Sequence, residues 1–328
     1  MNNESYKKDD FTNSNEVRWC PGCGDYAILA ALQRLLPELG LAPEKHVFVS
    51  GIGCAGRLPY YMNTYGFHTI HGRAPAIATG LKSMRKDLTV WLITGDGDAL
   101  SIGGNHLIHA LRRNVNINIL LFNNEVYGLT KGQFSPTSKQ GQITKTSPDG
   151  VSNQPINPLT LALGAGASFV ARAVDKDPVH LAKTLKKAYE HEGTSFVEIY
   201  QDCNIFNHSA FDSFALKANR SEQTLILEKG QPLVFGANNE WALRLGQDNL
   251  QKVANTTEQV YVHDPENYLA AVRLAHLNYP DFPVPLGVYY QENRPVFSLD
   301  IPKTKTKVDL AELYRKKASW QQVEKSRN

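Results

Sequence analysis

Between Leu88 and Ser138 the hydrophobic period switches from strand to helix and back to strand, and this switch limits the fold more than any other feature. The run Val90-Trp91-Leu92-Ile93 ends abruptly in Gly95-Asp96-Gly97-Asp98. A helical pattern follows, with Leu107, Ile108 and Leu111 on one side, and then a second β-type run from Ile117 to Phe122 that ends in Asn123-Asn124. This is the pattern of one βαβ unit. Its strands are apolar almost throughout, as strands of a parallel sheet covered on both faces must be. The alternation continues in both directions. Val47–Val49, Phe67–Ile70, Phe169–Val174 and Phe196–Tyr200 read as further strands. Helical patterns cover Asp25–Leu36, a segment starting near Pro75, Asn157–Leu163 and Pro178–His191. Six strands alternating with helices predict an α/β fold, a parallel sheet with helices on both faces.

In such a sheet the chemistry gathers at the carboxyl ends of the strands. Asp96 follows one strand and Asn124 the next, so their oxygens can face each other across one crevice. Gly95 and Gly97 flank the aspartate and let the backbone approach a ligand closely. A carboxylate plus a neutral amide oxygen suits a hard divalent cation that keeps phosphate oxygens as its other ligands. A lone Gly-Asp-Gly is more often a polar turn with a capping aspartate. The second element at the end of the following strand turns the reading toward a diphosphate–metal site.

The four cysteines form a second constellation. Cys20-Pro21-Gly22-Cys23 is a turn able to aim two sulfurs at one metal. A thioredoxin-like redox pair would ask for a preceding strand, half a zinc site for a second pair of ligands, and half an iron–sulfur site for distant cysteines. Cys54 and Cys203 each follow a β-type run, which places them on the same rim as Asp96 and Asn124. Either alone would read as a packing residue; together, three pieces of chain bring four thiols to one edge, with iron–sulfur and zinc as the competing readings.

Gly95-Asp96-Gly97 followed by Asn123-Asn124 after 25 intervening residues resembles the thiamine-diphosphate motif. The resemblance implies Mg²⁺ held by Asp96, Asn124 and the carbonyl of Val126, with Gly95, Gly97, Asp98, Gly128, Leu129 and Thr130 along the cofactor. The continuation Asn124-Glu-Val-Tyr-Gly-Leu-Thr-Lys-Gly-Gln133 is similar to the β subunit of 2-oxoacid:ferredoxin oxidoreductases, particularly the 2-oxoglutarate type. The likeness is specific for roughly Glu16–Phe211 and weak beyond. It implies a thiamine-diphosphate-binding fold and a proximal 4Fe–4S cluster on Cys20, Cys23, Cys54 and Cys203. It also brings Ile52, Gly53, Cys54 and Ala55, and His71 and Gly72 of the His-Gly-Arg segment, to the cofactor. Arg57 is a reading of our own: a guanidinium to hold the distal carboxylate of a dicarboxylic substrate bidentately. A surface arginine or a neighbour of the cluster is the equally weighted alternative.

The whole-chain numbers agree with an enzyme subunit. At 328 residues and 42% hydrophobic there is room for one large domain and an appendage. A formal charge of +3 gives no reason to expect nucleic acid or a membrane surface. No apolar run has transmembrane length and no signal-peptide segment opens the chain, so a cytoplasmic location is expected. Three parts are anticipated: a flexible leader over 1–16, the cofactor and cluster domain over 17–211, and an irregular extension over 212–328 packed on the domain or on a partner. The extension includes the prolines 280, 283 and 285 and the basic stretch Lys303–Lys307.

The resemblance also says what is missing. The glutamate that activates the cofactor's aminopyrimidine, and most coenzyme A contacts, belong in this family to an α subunit, so a heterodimer or a dimer of heterodimers is expected. The implied reaction is oxidative decarboxylation of 2-oxoglutarate to succinyl-coenzyme A and CO₂, with electrons leaving through the cluster to ferredoxin. Pyruvate or another 2-oxoacid is the alternative substrate. A cluster-free thiamine-diphosphate decarboxylase or carboligase, with structural cysteines or zinc, and a non-catalytic zinc-binding scaffold are the alternative functions.

Overall fold

Runs of buried residues, with one exposed edge strand, become one large sheet in the computed structural model, which describes residues 5–247 and 249–299. The six anticipated strands are β1 (His46–Ser50), β2 (Tyr65–His68), β3 (Thr89–Gly95), β4 (Asn118–Asn123), β5 (Phe169–Val174) and β6 (Ser195–Tyr200). Every residue of β1, β4 and β5 is buried. They lie parallel in the order β2-β1-β3-β4-β6-β5. The chain passes from β1 outward to β2 and returns to β3 on the other side, so a crevice opens between the carboxyl ends of β1 and β3.

Helices cover both faces. α1 (Asp25–Glu38) precedes β1, α2 (Ala74–Met84) joins β2 to β3, and α3 (Asp96–Leu100) with α4 (Gly104–Arg113) joins β3 to β4. α5 (Pro158–Gly164) precedes β5 and α6 (Pro178–Glu190) precedes β6. Asn157 caps α5, its side chain accepting from the N–H groups of Leu159 and Thr160. Ala74, Leu107, Leu111 and Leu159 from α2, α4 and α5 pack on one face of the sheet. Ile28, Leu32, Leu181 and Leu185 from α1 and α6 pack on the other, against Trp91 and Phe122.

Two expectations need correction. The segment 1–16 is not a loose leader where the structure describes it. Phe11 is fully buried in the core beside His46, and Asn13 donates to the carbonyls of Tyr60 and Met62. An aromatic anchor amid polar residues outweighs the polar composition. Nor is the region after 212 merely an irregular extension. It forms α7 (Asp212–Ala215), α8 (Lys217–Gln223), β7 (Thr224–Leu227), β8 (Val234–Phe235), β9 (Trp241–Leu245), β10 (Leu250–Ala254), α9 (Tyr268–Ala275) and β11 (Val284–Gln291). β8, β9 and β10 make a small antiparallel sheet. β11 pairs antiparallel with β5 and parallel with β7, extending the main sheet to eight strands. Pro285 and Gly287 demote this run in a sequence reading. Gly287 lies in the left-handed region, where a Cβ would come within 2.7 Å of the Leu227 carbonyl oxygen, so the glycine permits the close pairing. The described residues up to Phe297 form one compact unit; the Lys303–Lys307 stretch lies outside the described residues. Among the described residues no helix is long and apolar enough to cross a membrane.

A polar chain runs through the sheet interior. Asn123 Nδ2 on β4 donates to Glu198 Oε1 on β6 at 2.7 Å, and Arg172 Nε on β5 donates to Glu198 Oε2 at 2.7 Å. Arg172 Nη1 reaches Tyr289 Oη on β11 at 3.1 Å. Arg172 and Glu198 are both fully enclosed, so each is tolerable only beside the other. Arg172→Met is expected to cost about 3–5 kcal/mol in a urea unfolding experiment, because it strands a buried carboxylate. Arg172→Met with Glu198→Leu should recover most of that loss.

Candidate active site

Three loops meet at the crevice between β1 and β3. Asp98, buried in α3, takes Ile52 N (3.1 Å), Gly72 N (2.7 Å) and His71 Nδ1 (2.6 Å) on Oδ1, and Thr94 Oγ1 (2.7 Å) on Oδ2. The loop after β1, the turn after β2 and the end of β3 are therefore tied to one carboxylate. Asp98 holds the walls of the crevice. With Nδ1 turned to Asp98, the other ring nitrogen of His71, Nε2, is left for another partner. Its ring stands edge-on to Tyr127, centroids 6.3 Å apart. Gly53 follows Ile52 on the same rim, and Ala55 opens the short 3₁₀ turn Ala55–Tyr61.

Asp96, at the end of β3, is buried, and its Oδ2 receives Ser135 Oγ at 2.5 Å and Thr137 Oγ1 at 2.6 Å. Burial pushes its carboxyl up to about 6, against the pull of the two hydroxyls and of the Gly97 and Asp96 N–H groups. Among the described residues Asp96 makes no ion pair with Lys, Arg or His. A buried carboxylate held only by neutral donors is the electrostatic arrangement of a cation site. Across the neighbouring strand, Asn124 Nδ2 donates to Gln201 Oε1 at 2.8 Å, while its Oδ1 accepts from Val126 N at 3.2 Å. Glu125 between them sits at φ +56°, turning the chain so that Asn124 and Val126 share one side. Tyr127 Oη donates to the Gly97 carbonyl at 3.0 Å, and a Cβ on Gly97 would stand 2.2 Å from the Tyr127 ring. Asp96 follows β3, and Asn124 and Val126 follow β4, its neighbour in the sheet, so oxygen donors of the kind Mg²⁺ takes lie at the ends of adjacent strands. Gly95 and Gly128 line the same rim, with Leu129 and Thr130 exposed at its edge.

The four thiols gather beside this set. Cys20 and Cys23 lie in one turn, Cys23 N donating to the Cys20 carbonyl at 3.1 Å. A Cβ on Gly128 would lie 3.4 Å from Cys203 Sγ and 3.6 Å from Cys54 Sγ, so those two sulfurs flank Gly128. The Cys54 thiol is pushed up to about 12, first by burial and then by Asp25, Cys203 and Cys20. Cys23 rises further, through burial, Asp25, Cys54 and Cys203. Burial and the neighbouring acids thus favour the protonated thiol at both positions. Among the described residues, no three His, Cys, Asp or Glu side chains converge closely enough for a single ion.

Arg57, three residues after Cys54, donates through Nε to Tyr61 Oη at 3.0 Å, its guanidinium 6.0 Å from that ring. Its terminal nitrogens make no hydrogen bond among the described residues. Several residues at the site escaped the sequence reading. Gln201 binds Asn124 through Oε1 and donates through Nε2 to Cys23 Sγ at 3.3 Å, joining the two constellations. Its one signal was its position at the carboxyl end of β6. Asp25 is fully buried beside Cys23, its carboxyl pushed up to about 7 mainly by burial. Ser135 and Thr137 lie in the Ser/Thr/Gly/Pro-rich segment after Gln133, whose length reads as an ordered arm over the cofactor without singling out either hydroxyl.

Known proteins match this chain in sequence and in fold. Residues 51–199 match the family model for the thiamine pyrophosphate enzyme C-terminal TPP-binding domain. The chain is similar to the 2-oxoglutarate oxidoreductase subunit KorB of Mycobacterium tuberculosis, 53% identical over 300 residues covering 89% of this chain and 79% of the relative. It is also similar to the 2-oxoacid:ferredoxin oxidoreductase subunit beta of Saccharolobus solfataricus, 47% identical over 191 residues covering 58% of this chain and 63% of the relative. In fold it is similar to a 2-oxoglutarate:ferredoxin oxidoreductase from Magnetococcus marinus solved with 2-oxoglutarate, coenzyme A and succinyl-CoA bound. The TM-score is 0.75 and the identity 33%, over 97% of this chain and 98% of that chain.

The tight seat of Tyr127 on Gly97 carries a direct test. Gly97→Ala should lower the chain's unfolding free energy by about 1–3 kcal/mol, the usual cost of overpacking. Adding Tyr127→Ala should return part of that loss.

Proposed function

This chain belongs to the family of 2-oxoacid:ferredoxin oxidoreductase β subunits, and on that premise we propose that it is the cofactor- and cluster-bearing half of a coenzyme A-acylating 2-oxoglutarate oxidoreductase. Relatives named for 2-oxoglutarate, and a solved relative with 2-oxoglutarate and coenzyme A bound, support the substrate pair. One observation carries the redox reading. The oxygen set on Asp96 and Asn124 and the four-thiol set share one rim, with Gln201 bonded to both Asn124 and Cys23. A decarboxylase that passes no electrons has no use for that adjacency.

When bound, thiamine diphosphate supplies the electron sink for decarboxylation, Mg²⁺ the countercharge to its diphosphate, and a 4Fe–4S cluster the one-electron exit. The chain's own residues do the rest. Asp96, Asn124 and the Val126 carbonyl hold the cation. Gly97 and Gly72 let the backbone close on the diphosphate, and His71, oriented by Asp98, offers Nε2 to the crevice. Cys20, Cys23, Cys54 and Cys203 hold the cluster, and Gln201 steadies the Cys23 sulfur with an N–H. Arg57 presents its unengaged guanidinium edge to the distal carboxylate of the substrate. An α subunit supplies the pyrimidine-side glutamate and most coenzyme A contacts, ferredoxin takes the electrons, and the assembled enzyme works in the reducing cytoplasm, where free thiols persist.

Anaerobically purified enzyme is expected to contain about four irons and four acid-labile sulfides per β chain, as one cubane requires. It should also reduce ferredoxin only with both 2-oxoglutarate and coenzyme A present. Zinc, or no metal, in the four-thiol site would overturn the redox reading. Arg57→Gln should lower kcat/KM for 2-oxoglutarate roughly 10- to 100-fold, the worth of a charged hydrogen-bond pair, and leave any turnover of pyruvate unchanged. An equal loss on both substrates would remove Arg57 from carboxylate recognition.

A further inference from the structure

The loop that follows β4 turns back over the site with Ser135-Pro136-Thr137-Ser138, and all three hydroxyl-bearing residues are buried. Each hydroxyl ends on a piece of the oxygen set or its support. Ser135 Oγ and Thr137 Oγ1 both donate to Asp96 Oδ2, at 2.5 and 2.6 Å. Thr137 Oγ1 also lies 2.9 Å from Asn123 Oδ1. Ser138 Oγ donates to the Glu125 carbonyl at 2.6 Å and accepts from Ser135 N at 2.8 Å. Asn123 and Glu125 are the residues on either side of Asn124. One short segment therefore grips the β3 turn and the β4 turn at once.

We infer that Ser135, Thr137 and Ser138 form a hydroxyl clip that positions the cation ligands Asp96, Asn124 and Val126 relative to one another. The inference rests on the cation site proposed above. The clip residues are positioning residues: they touch Asp96, Asn123 and Glu125 and leave the cation to the oxygen set. The χ2 torsion of an aspartate is broad, and two hydrogen bonds to one oxygen select a single orientation. Ser138, anchored to the Glu125 carbonyl, braces the turn in which Glu125 holds φ +56°, a conformation that costs energy for a residue with a side chain.

The choice of hydroxyls is chemically specific. A lysine or arginine in their place would orient Asp96 equally well but would neutralise it and repel the cation. Neutral donors orient the carboxylate and leave its charge available. Thr137 has one hydroxyl hydrogen and two acceptors in reach, Asp96 Oδ2 and Asn123 Oδ1. As a cation draws charge from Asp96, the hydrogen can turn to Asn123, so the two turns stay linked with and without the metal.

The test uses the assembled enzyme with thiamine diphosphate and Mn²⁺ as the probe cation, its free fraction read by electron paramagnetic resonance. Outer partners of metal ligands are commonly worth about 10- to 100-fold in metal affinity. Thr137→Val, which keeps shape and removes the hydroxyl, is expected to raise the Mn²⁺ Kd within that range. Ser135→Ala should raise it by a smaller factor, and Thr137→Ser should restore most of the affinity. Unchanged Mn²⁺ affinity in folded Thr137→Val and Ser135→Ala would overturn the clip. So would a Thr137→Ser variant as weak as Thr137→Val, which would assign the effect to packing of the methyl group. If Thr137→Val does not assemble, Ser135→Ala decides alone. Failure of the unsubstituted enzyme to bind Mn²⁺ in a thiamine-diphosphate-dependent way would instead overturn the cation site itself.

Discussion

Four hydrogen bonds end on the Asp98 carboxylate, and the working rim of the sheet takes its shape from them. The donors come from the loop after β1, the turn after β2 and β3 itself. Leaving even one such buried donor without a partner costs about 1–3 kcal/mol. Gathering all of them on one anion ties the walls of the crevice together. The same carboxylate orients the His71 ring. Asp98 thus serves the site from behind, and Asp96, two residues earlier and free of any charged partner among the described residues, is the carboxylate proposed for the cation.

A second polar system supports the opposite wall. Asn123, Glu198, Arg172 and Tyr289 run across β4, β6, β5 and β11. Buried ion pairs are poor sources of net stability. This one has a different effect: it makes the register of four strands mutually dependent. Asn123 is its end nearest the site and also accepts from Glu125 N and Thr137 Oγ1. β11 is therefore connected, through this polar chain, to the turn that presents Asn124. Gln201 performs the corresponding service between that turn and the thiols.

Much of this was legible in the chain. β1, β3 to β6 and the intervening helices announced themselves because each buries one face or both, and burial imprints a period on the residues; β2 is an exposed edge strand. Asp96 and Asn124 stood out because a parallel sheet collects its ligands at strand ends. The cysteines stood out because there are only four. The misreadings have equally physical causes. Phe11 is a single anchor in a polar stretch, and one buried ring leaves no period. β11 carries Pro285 and Gly287, which argue against a strand locally, yet the sheet accepts them because Gly287 allows a close approach to Leu227. Ser135, Thr137 and Gln201 are ordinary polar residues in loops, and nothing in their spacing separates them from solvated neighbours.

By itself the sequence determined what depends on neighbours in the chain: the alternation of strand and helix, the βαβ unit, the Gly-Asp-Gly turn, the paired cysteines, and so the kind of chemistry the rim carries. Only the tertiary structure decided which residues support that chemistry. Asp98 meets Ile52 across 46 residues, Asp96 meets Thr137 across 41, and Gln201 meets Cys23 across 178. A hydrogen bond between positions so far apart leaves no periodic trace, because it is made by the packing of the sheet and not by the local path of the chain.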